Sequence, residues 1–308
     1  MKKKMSNRDK TFWAVIIPVV ILFFAFNTLP MIKGVIYSFT NYKGYGTYDY
    51  VGFRNYADLF TDSRVGKSYL FTFKYALAGT ILVNVLSLIM AVGLNSAIRF
   101  KSALRGIYFV PNILGGLVIG YIFSFIFTYI LPTVGNVFHI GFLQNSILAS
   151  EKYAWIGVLI VGVWQAVAMN TIIYISGLQT VPEDVYEAAK LDGANHRQTL
   201  WHVTIPMLKP VTSFLILTSF ISGCQVMEEP MLLLNGWATV GQTVGGPDRS
   251  CLTIVWNLYD TAFGNGTNLQ YGKGAAIGYS AFLLIMLVVM LWNRTQKTLA
   301  KRRGDIDE

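Results

Sequence analysis

Charge is what this sequence has least of. Lys, Arg, Asp and Glu supply 13 % of its 308 residues, against roughly 25 % in a soluble domain. Hydrophobic residues supply 54 %. The imbalance excludes an ordinary soluble domain and predicts an integral membrane protein. Cysteine is nearly absent. Cys224 lies in an apolar run and Cys251 in a polar one, too few for a disulfide framework, and both are expected to be free. The three histidines, His139, His196 and His202, are scattered and give no metal-ligand spacing. No glycine-rich loop ends in Gly-Lys-Ser or Gly-Lys-Thr. The nearest cluster, Gly241 to Gly246, has no lysine, so a phosphate-binding loop is excluded. Internal repeats and low-complexity tracts are also missing. The basic head is followed by an apolar run too long for a signal peptide and by no Ala-x-Ala site, which predicts a retained first span.

What is present is a series of uncharged runs of membrane-crossing length. About 20 apolar residues cross roughly 30 Å of hydrocarbon. Six spans are predicted, over residues 11–37, 72–98, 106–129, 153–177, 211–234 and 273–293. Pro18 and Pro30 can kink the first, and Lys33 either snorkels or ends it. Residues 38–70 read as a loop followed by a short interfacial helix from Asn55. Gly115, Gly116 and Gly120 in the third span would let another backbone approach closely. The uncharged tail to Ser150 holds Pro132, Gly135 and Asn136, and is expected to be an external loop with an interfacial segment. Residues 235–272 form a long external loop with an amphipathic segment at Leu252 to Phe263.

The net charge of +9 does not predict nucleic-acid binding, because the basic residues cluster at span ends. Residues 1–10, 99–105, 178–210 and 294–308 hold 5, 3, 3 and 5 Lys plus Arg, 16 of the 25 in the chain. Positive charge marks the cytoplasmic side. The basic N-terminus (1–10), the loop 178–210 and the tail 294–308 are therefore expected in the cytoplasm, on either side of a transmembrane domain over 11–293.

The loop 178–210 is charged and helix-forming between two uncharged runs. Pro182 with Glu183 and Asp184 predicts a helix start, since proline needs no amide donor in the first turn and acids suit the positive end of the dipole. Gly193 ends or bends that helix. Residues 194–202 can form a second, which Pro206 stops or kinks. The result would be a compact two-helix knob.

The knob contains Glu187, Ala188, Ala189, Gly193, Val203, Ile205 and Pro206 at the spacing of the EAA loop. It resembles that loop in bacterial ABC importer permeases, with Val203 in place of the commoner isoleucine. Asp192-Gly193-Ala194, Thr204-Ile205-Pro206, the Gly245-Gly246-Pro247 of the last external loop and Gly52-Phe53-x-Asn55-Tyr56 resemble the carbohydrate-uptake branch, the maltose and glycerol-phosphate type. The stretch 235–244 is longer than in that branch. The resemblance covers nearly the whole chain. It implies an all-α membrane protein of six transmembrane helices with the type I importer permease fold, in the bacterial cytoplasmic membrane with both termini cytoplasmic. It implies a second homologous permease subunit, two copies of a cytoplasmic ABC ATPase that grip the knobs, and an extracellular solute-binding protein that delivers a sugar or oligosaccharide. ATP and Mg would belong to the ATPase subunits, with no cofactor on this chain, which would not itself be an enzyme.

Residues for the substrate pathway are expected among Asn84, Tyr121, Trp164, Gln165, Asn170, Tyr174, Gln225, Glu228 and Glu229. Buried amides serve equally as glue between helices, and aromatics fill cores. Glu228 and Glu229 either mark the interface or face the pore, and acids in or near spans are functional candidates by default. An intramembrane enzyme would need a histidine beside those acids, and none is there. An ion-coupled secondary transporter would need paired charges at the midplane, which are missing. No Lys or Arg lies in residues 75–98, 106–150, 153–181, 211–234 or 274–293, which favours a neutral carbohydrate over glycerol phosphate. An acidic uronate oligosaccharide stays open if a partner permease supplies the cation.

Overall fold

The computed structural model describes residues 7–95, 106, 109–234, 243–264 and 269–303. The basic residues Lys2, Lys3 and Lys4, the turn bearing Arg99, Lys101 and Arg105, most of the lengthened stretch 235–244 and the end of the tail lie outside the described residues. Within them the protein is helical, with a single isolated β-bridge between Thr40 and Tyr50. Five helices are long and apolar enough to cross a membrane, or six if a bent pair counts as one. This is a multi-pass, all-α membrane protein. The chain forms two compact units, Met1–Asp62 with Leu258–Leu283, and Ser63–Asn257 with Leu284–Glu308.

In the first unit one long helix runs Lys10–Ser38. It continues through both prolines rather than ending at Lys33. A proline ring clashes with the carbonyl four residues back. The wider π turn Phe24–Thr28 ahead of Pro30 relieves that clash, and Pro30 opens the Leu29–Ser38 segment where its missing amide costs nothing. Tyr279 donates its hydroxyl to the Met31 carbonyl, and its ring fills the space left by Gly34. The loop that follows folds on its own end. Asn55 Nδ2 donates to the carbonyls of Ser38 and Thr40, 2.8 Å each, and fastens the Arg54–Thr61 helix. Lys273 pairs with Asp62 at 2.7 Å.

The second unit is built on the Ser63–Asn95 helix. It begins nine residues before the expected 72, one extended residue, Asp62, after the short helix ends at Thr61. It packs against Ala154–Gln179 and Lys209–Cys224. Val83, Val158, Val161 and Val167 fill one core between these helices; Ala91, Leu94, Tyr174, Leu178 and Leu215 fill another.

Two spans depart from the sequence reading. The third was expected at 106–129, but its continuous helical stretch is Gly116–Val137. Gly115 is extended, with φ −66° and ψ 146°, and breaks the chain ahead of it. At the far end Pro132 follows the π turn Ile126–Ile130, so helix rather than loop carries on to Val137. Gly120 does admit a neighbour, Leu232, whereas Gly115 has none. The fifth was expected as one helix over 211–234. Lys209–Cys224 is only 16 residues, about 24 Å at 1.5 Å per residue, short of the hydrocarbon core. The chain leaves helical geometry at Gln225–Met227 and resumes at Glu228–Leu233, with Glu228 and Glu229 in the new first turn. Acids there suit the helix dipole, which is why the second segment starts at that point.

The Gly245-Gly246-Pro247 loop is a tight reversal. Both glycines have positive φ, +97° and +73°, and a Cβ on Gly245 would come within 2.6 Å of Leu252 Cβ. The reversal returns the chain to the start of the Ser63–Asn95 helix, where Ile254 N–H donates to Thr72 Oγ1 at 2.9 Å and Asn257 Nδ2 to Ser68 Oγ at 3.2 Å. Lys67 and Asp248 pair at 2.6 Å on the surface. Cys251, beside this turn, is fully buried. Neither cysteine forms a disulfide.

Burial pushes the Cys251 thiol up to about 11, partly offset by the Ser250 hydroxyl and the Lys74 charge. A group raised in this way stays protonated well above neutrality. Maleimide at about pH 7.5 should leave Cys251 unlabelled in the folded protein, and raising the pH to about 9 should not help, because only the accessible thiolate reacts. Denaturation in detergent should expose both thiols, read by the mass shift. Prompt labelling of Cys251 in the native protein would contradict this burial.

Candidate functional site

Two features of the second unit stand out, a polar cavity among the spans and the two-helix knob. The cavity has a volume of about 330 Å³. Three helices and the break in the fifth span build it. Tyr75, Gly79 and Thr80 come from Ser63–Asn95, Gly162 and Asn170 from Ala154–Gln179, and Ser219, Ser222 and Gly223 from Lys209–Cys224. Glu229, just past the break, lines it as well. Glycine is required where backbones crowd. A Cβ at Gly162 would overlap the Tyr75 hydroxyl, and one at Gly223 would come within 2.8 Å of the Ala76 backbone.

A hydrogen-bond cluster ties the three helices beside the cavity. Asn170 Nδ2 donates to Ser219 Oγ at 2.9 Å, and Asn84 Nδ2 to the same oxygen at 3.3 Å. Tyr174 donates its hydroxyl to Asn84 Oδ1 at 3.1 Å. Asn84 and Tyr174 are buried. They therefore do the work of interhelical glue.

The other expected pathway residues are dispersed. Trp164 packs its ring 5.1 Å from Phe123 and lines a separate apolar hollow with Leu86, Met90 and Pro111. Tyr121 is 75 % exposed and Gln225 ends its helix, also exposed. Gln165 keeps a buried Oε1 without a partner, away from the cavity lining. Glu228 turns its carboxylate to Gly116. Of the nine, Asn170 and Glu229 line the cavity. Tyr75, Thr80, Thr218, Ser219 and Ser222 were not singled out in the sequence. A signal existed in Thr218, Ser219 and Ser222, which share one helix face at i, i+1 and i+4 inside an uncharged span.

The knob is a capped helix pair. Pro182 is the N-cap, with ψ 141°, and the helix runs Glu183–Leu191, one residue later than a proline in the first turn would place it. Gly193 has φ +79°; its N–H donates to the Lys190 carbonyl at 3.2 Å and that of Ala194 to the Ala189 carbonyl at 3.0 Å. This Schellman arrangement ends the helix. Asn195 and Gln198 then make a reciprocal capping box, 2.9 Å each way. The second helix does not stop near 202. A π turn at Leu200–Thr204 carries it past Pro206 to Met207. The bend of 66° falls after Met207, where buried Leu208 is packed with Tyr174, Leu178 and Leu215. Glu187, Ala188, Gly193 and Pro206 are exposed, and Ala189, Val203 and Ile205 half-buried. Leu191 and Trp201 are 89 % and 58 % exposed, so the knob presents uncovered apolar surface.

A multi-span helical protein with a polar cavity beside a broken span belongs to the class of membrane transporters. Residues 83–303 match the family described as binding-protein-dependent transport system inner membrane component, and the chain belongs to that family. It is a non-catalytic permease subunit. It is 36 % identical over 286 residues to the multiple sugar-binding transport system permease protein MsmF of Streptococcus mutans, covering 92 % of this chain and 94 % of that one. It is 30 % identical over 277 residues to the arabinooligosaccharides transport system permease protein AraP of Bacillus subtilis, 89 % of this chain and 84 % of that one. A bacterial alginate ABC transporter, solved in complex with alginate pentasaccharide-bound periplasmic protein, matches with a TM-score of 0.75 over 96 % of each chain at 16 % identity. That likeness speaks for the fold.

Tyr174→Phe and Asn84→Ala should each lower stability by about 0.5–1.5 kcal/mol. In a double-mutant cycle the pair should couple by about 0.6 kcal/mol or more, as bonds between membrane helices do. The measurement is thermal unfolding of the reconstituted protein. Strict additivity would show that the bond contributes nothing.

Proposed function

We propose that this chain is the permease subunit of an ATP-driven importer that passes a sugar or oligosaccharide across the cytoplasmic membrane, with the cavity lined by Asn170, Ser219 and Glu229 as the sugar site. The observation that carries the reading is the cavity itself. Hydroxyls, an amide and a carboxylate converge in a hollow between three helices. A saccharide offers many hydroxyls and a patchy apolar ring, and small polar groups beside Tyr75 suit both. Relatives whose names specify sugars point the same way. The break in the fifth span supports it, since transporter sites form where membrane helices are interrupted.

The loop 178–210 is the coupling loop in this reading. Two copies of a cytoplasmic ATPase bring ATP and Mg, one gripping this knob and the other that of a second, homologous permease. An extracellular solute-binding protein delivers the sugar. Both termini and the loop are cytoplasmic, and 235–272 is external, as the basic-residue asymmetry predicts. Uncovered Leu191 and Trp201 are apolar groups that a docked subunit would remove from water. The caps at Gly193 and Asn195 fix the angle between the two short helices. The turn at Leu208 ties the second of them to the core that holds Tyr174, so a push on the knob reaches the spans as motion of a rigid element.

Gly193 has open space around it, yet its φ of +79° excludes a branched side chain without strain. Gly193→Val should therefore distort the knob by about 1–2 kcal/mol of backbone strain and lose most transport. Glu187→Ala removes one exposed contact and should cost less. Neither change should prevent insertion or ligand capture by the binding protein. The assay is radiolabelled sugar uptake at matched membrane levels with ATPase pull-down. Parental uptake and ATPase retention in both variants would remove the loop from the coupling path.

A further inference from the structure

Among the described residues, the cavity lining has a single charged side chain. Glu229 lines it, and no lysine or arginine does. The charges nearest in sequence are turned elsewhere. Lys74 sits over the Trp155 ring, its Nζ 3.6 Å from the centroid, and the Glu228 carboxylate lies against Gly116. Thr80 also lines the cavity. It is 7 % exposed, and its Oγ1 has no hydrogen-bond partner. A buried hydroxyl with no protein partner thus lies beside the space that the Glu229 carboxyl lines.

We propose that Glu229 determines specificity by charge: it accepts a hydrogen bond from a saccharide hydroxyl and turns away saccharides that carry a carboxylate or phosphate. This rests on the reading of the cavity as the sugar site. A carboxylate acceptor makes a shorter and stronger bond to a hydroxyl than a neutral acceptor does. The same group repels a second anion, and the repulsion grows where water is excluded. An acidic saccharide would also find no cation in this lining to offset it. One residue therefore supplies both the attraction for a neutral polyol and the repulsive element that discrimination requires. A partner permease could bring a cation to its own surface, but the carboxylate in this cavity would still oppose an anion placed against it.

The test uses the assembled complex in nanodiscs, without binding protein, so that selection upstream does not intrude. The probes are maltotriose and arabinotriose, the mono-carboxylate made from each by oxidising one primary hydroxyl, and the methyl ester of that carboxylate. Binding is read by equilibrium dialysis of radiolabelled sugar. For whichever neutral sugar binds, the ester should bind within about threefold of it and the carboxylate at least about tenfold more weakly. In Glu229→Gln, with assembly checked by size exclusion, the gap between carboxylate and ester should close to within about threefold. Equal binding of carboxylate and ester by the parent, or a gap that survives in Glu229→Gln, overturns the charge filter and leaves the cavity reading standing. Binding of no saccharide by the parent overturns the cavity reading, and the filter falls with it.

Discussion

Everything in the second unit depends on how three helices share one hydroxyl. Ser219 Oγ accepts from Asn84 on one side and Asn170 on the other. In a bilayer, lipid tails are as apolar as leucine, so burial gives helices little reason to prefer each other. Close packing and interhelical hydrogen bonds must supply it. Small residues allow the approach that lets those bonds form. Gly223 presses on the Ala76 backbone and Gly162 on the Tyr75 hydroxyl. The space these contacts leave open becomes the polar cavity. Helix packing and the cavity lining therefore draw on one set of groups, and a change at Asn170 or Ser219 bears on both.

The interrupted fifth span follows from a related constraint. A chain that leaves helical geometry at membrane depth frees backbone groups, and these are tolerated only inside protein or beside a cavity. The break at Gln225–Met227 lies where Val226 and Glu229 line the cavity. Its consequence is that two adjacent acids part company. Glu228 goes to the third span at Gly116, and Glu229 goes to the cavity. At the other end of the same span, Leu208 anchors the bend that leads to the knob. One helix of 16 residues thus joins the proposed sugar site to the element proposed to receive the ATPase.

Much of the chain's organisation was legible because membranes impose long-wavelength patterns. Uncharged runs of about 20 residues and basic clusters at their ends can be read without any contact. The knob was legible for a different reason. Its signals are local: Glu183, Asp184 and Gly193 act within a few residues of themselves, as does the Asn195–Gln198 capping box, which the sequence reading missed. Boundaries were read less well. Pro132 was read as part of a loop and Pro206 as a stop or kink, but π turns ahead of them let the helices run on to Val137 and Met207. A widened turn has no sequence signature of its own, because it depends on whether neighbours leave room for it.

Composition, span number and the motif spacing of the loop are properties of the chain as a string, since hydrophobicity and capping are summed along it. Which polar residues meet is not. Asn84, Gln165, Asn170 and Tyr174 look alike in sequence, each a polar or amphipathic group in an apolar run. Only helix rotation and crossing put Asn170 on the cavity, join Asn84 to Tyr174 and leave Gln165 aside. The same holds for Glu228 and Glu229. A rotation of about 100° per residue points neighbours along a helix in different directions, so it took the tertiary structure to decide which carboxylate lines the cavity.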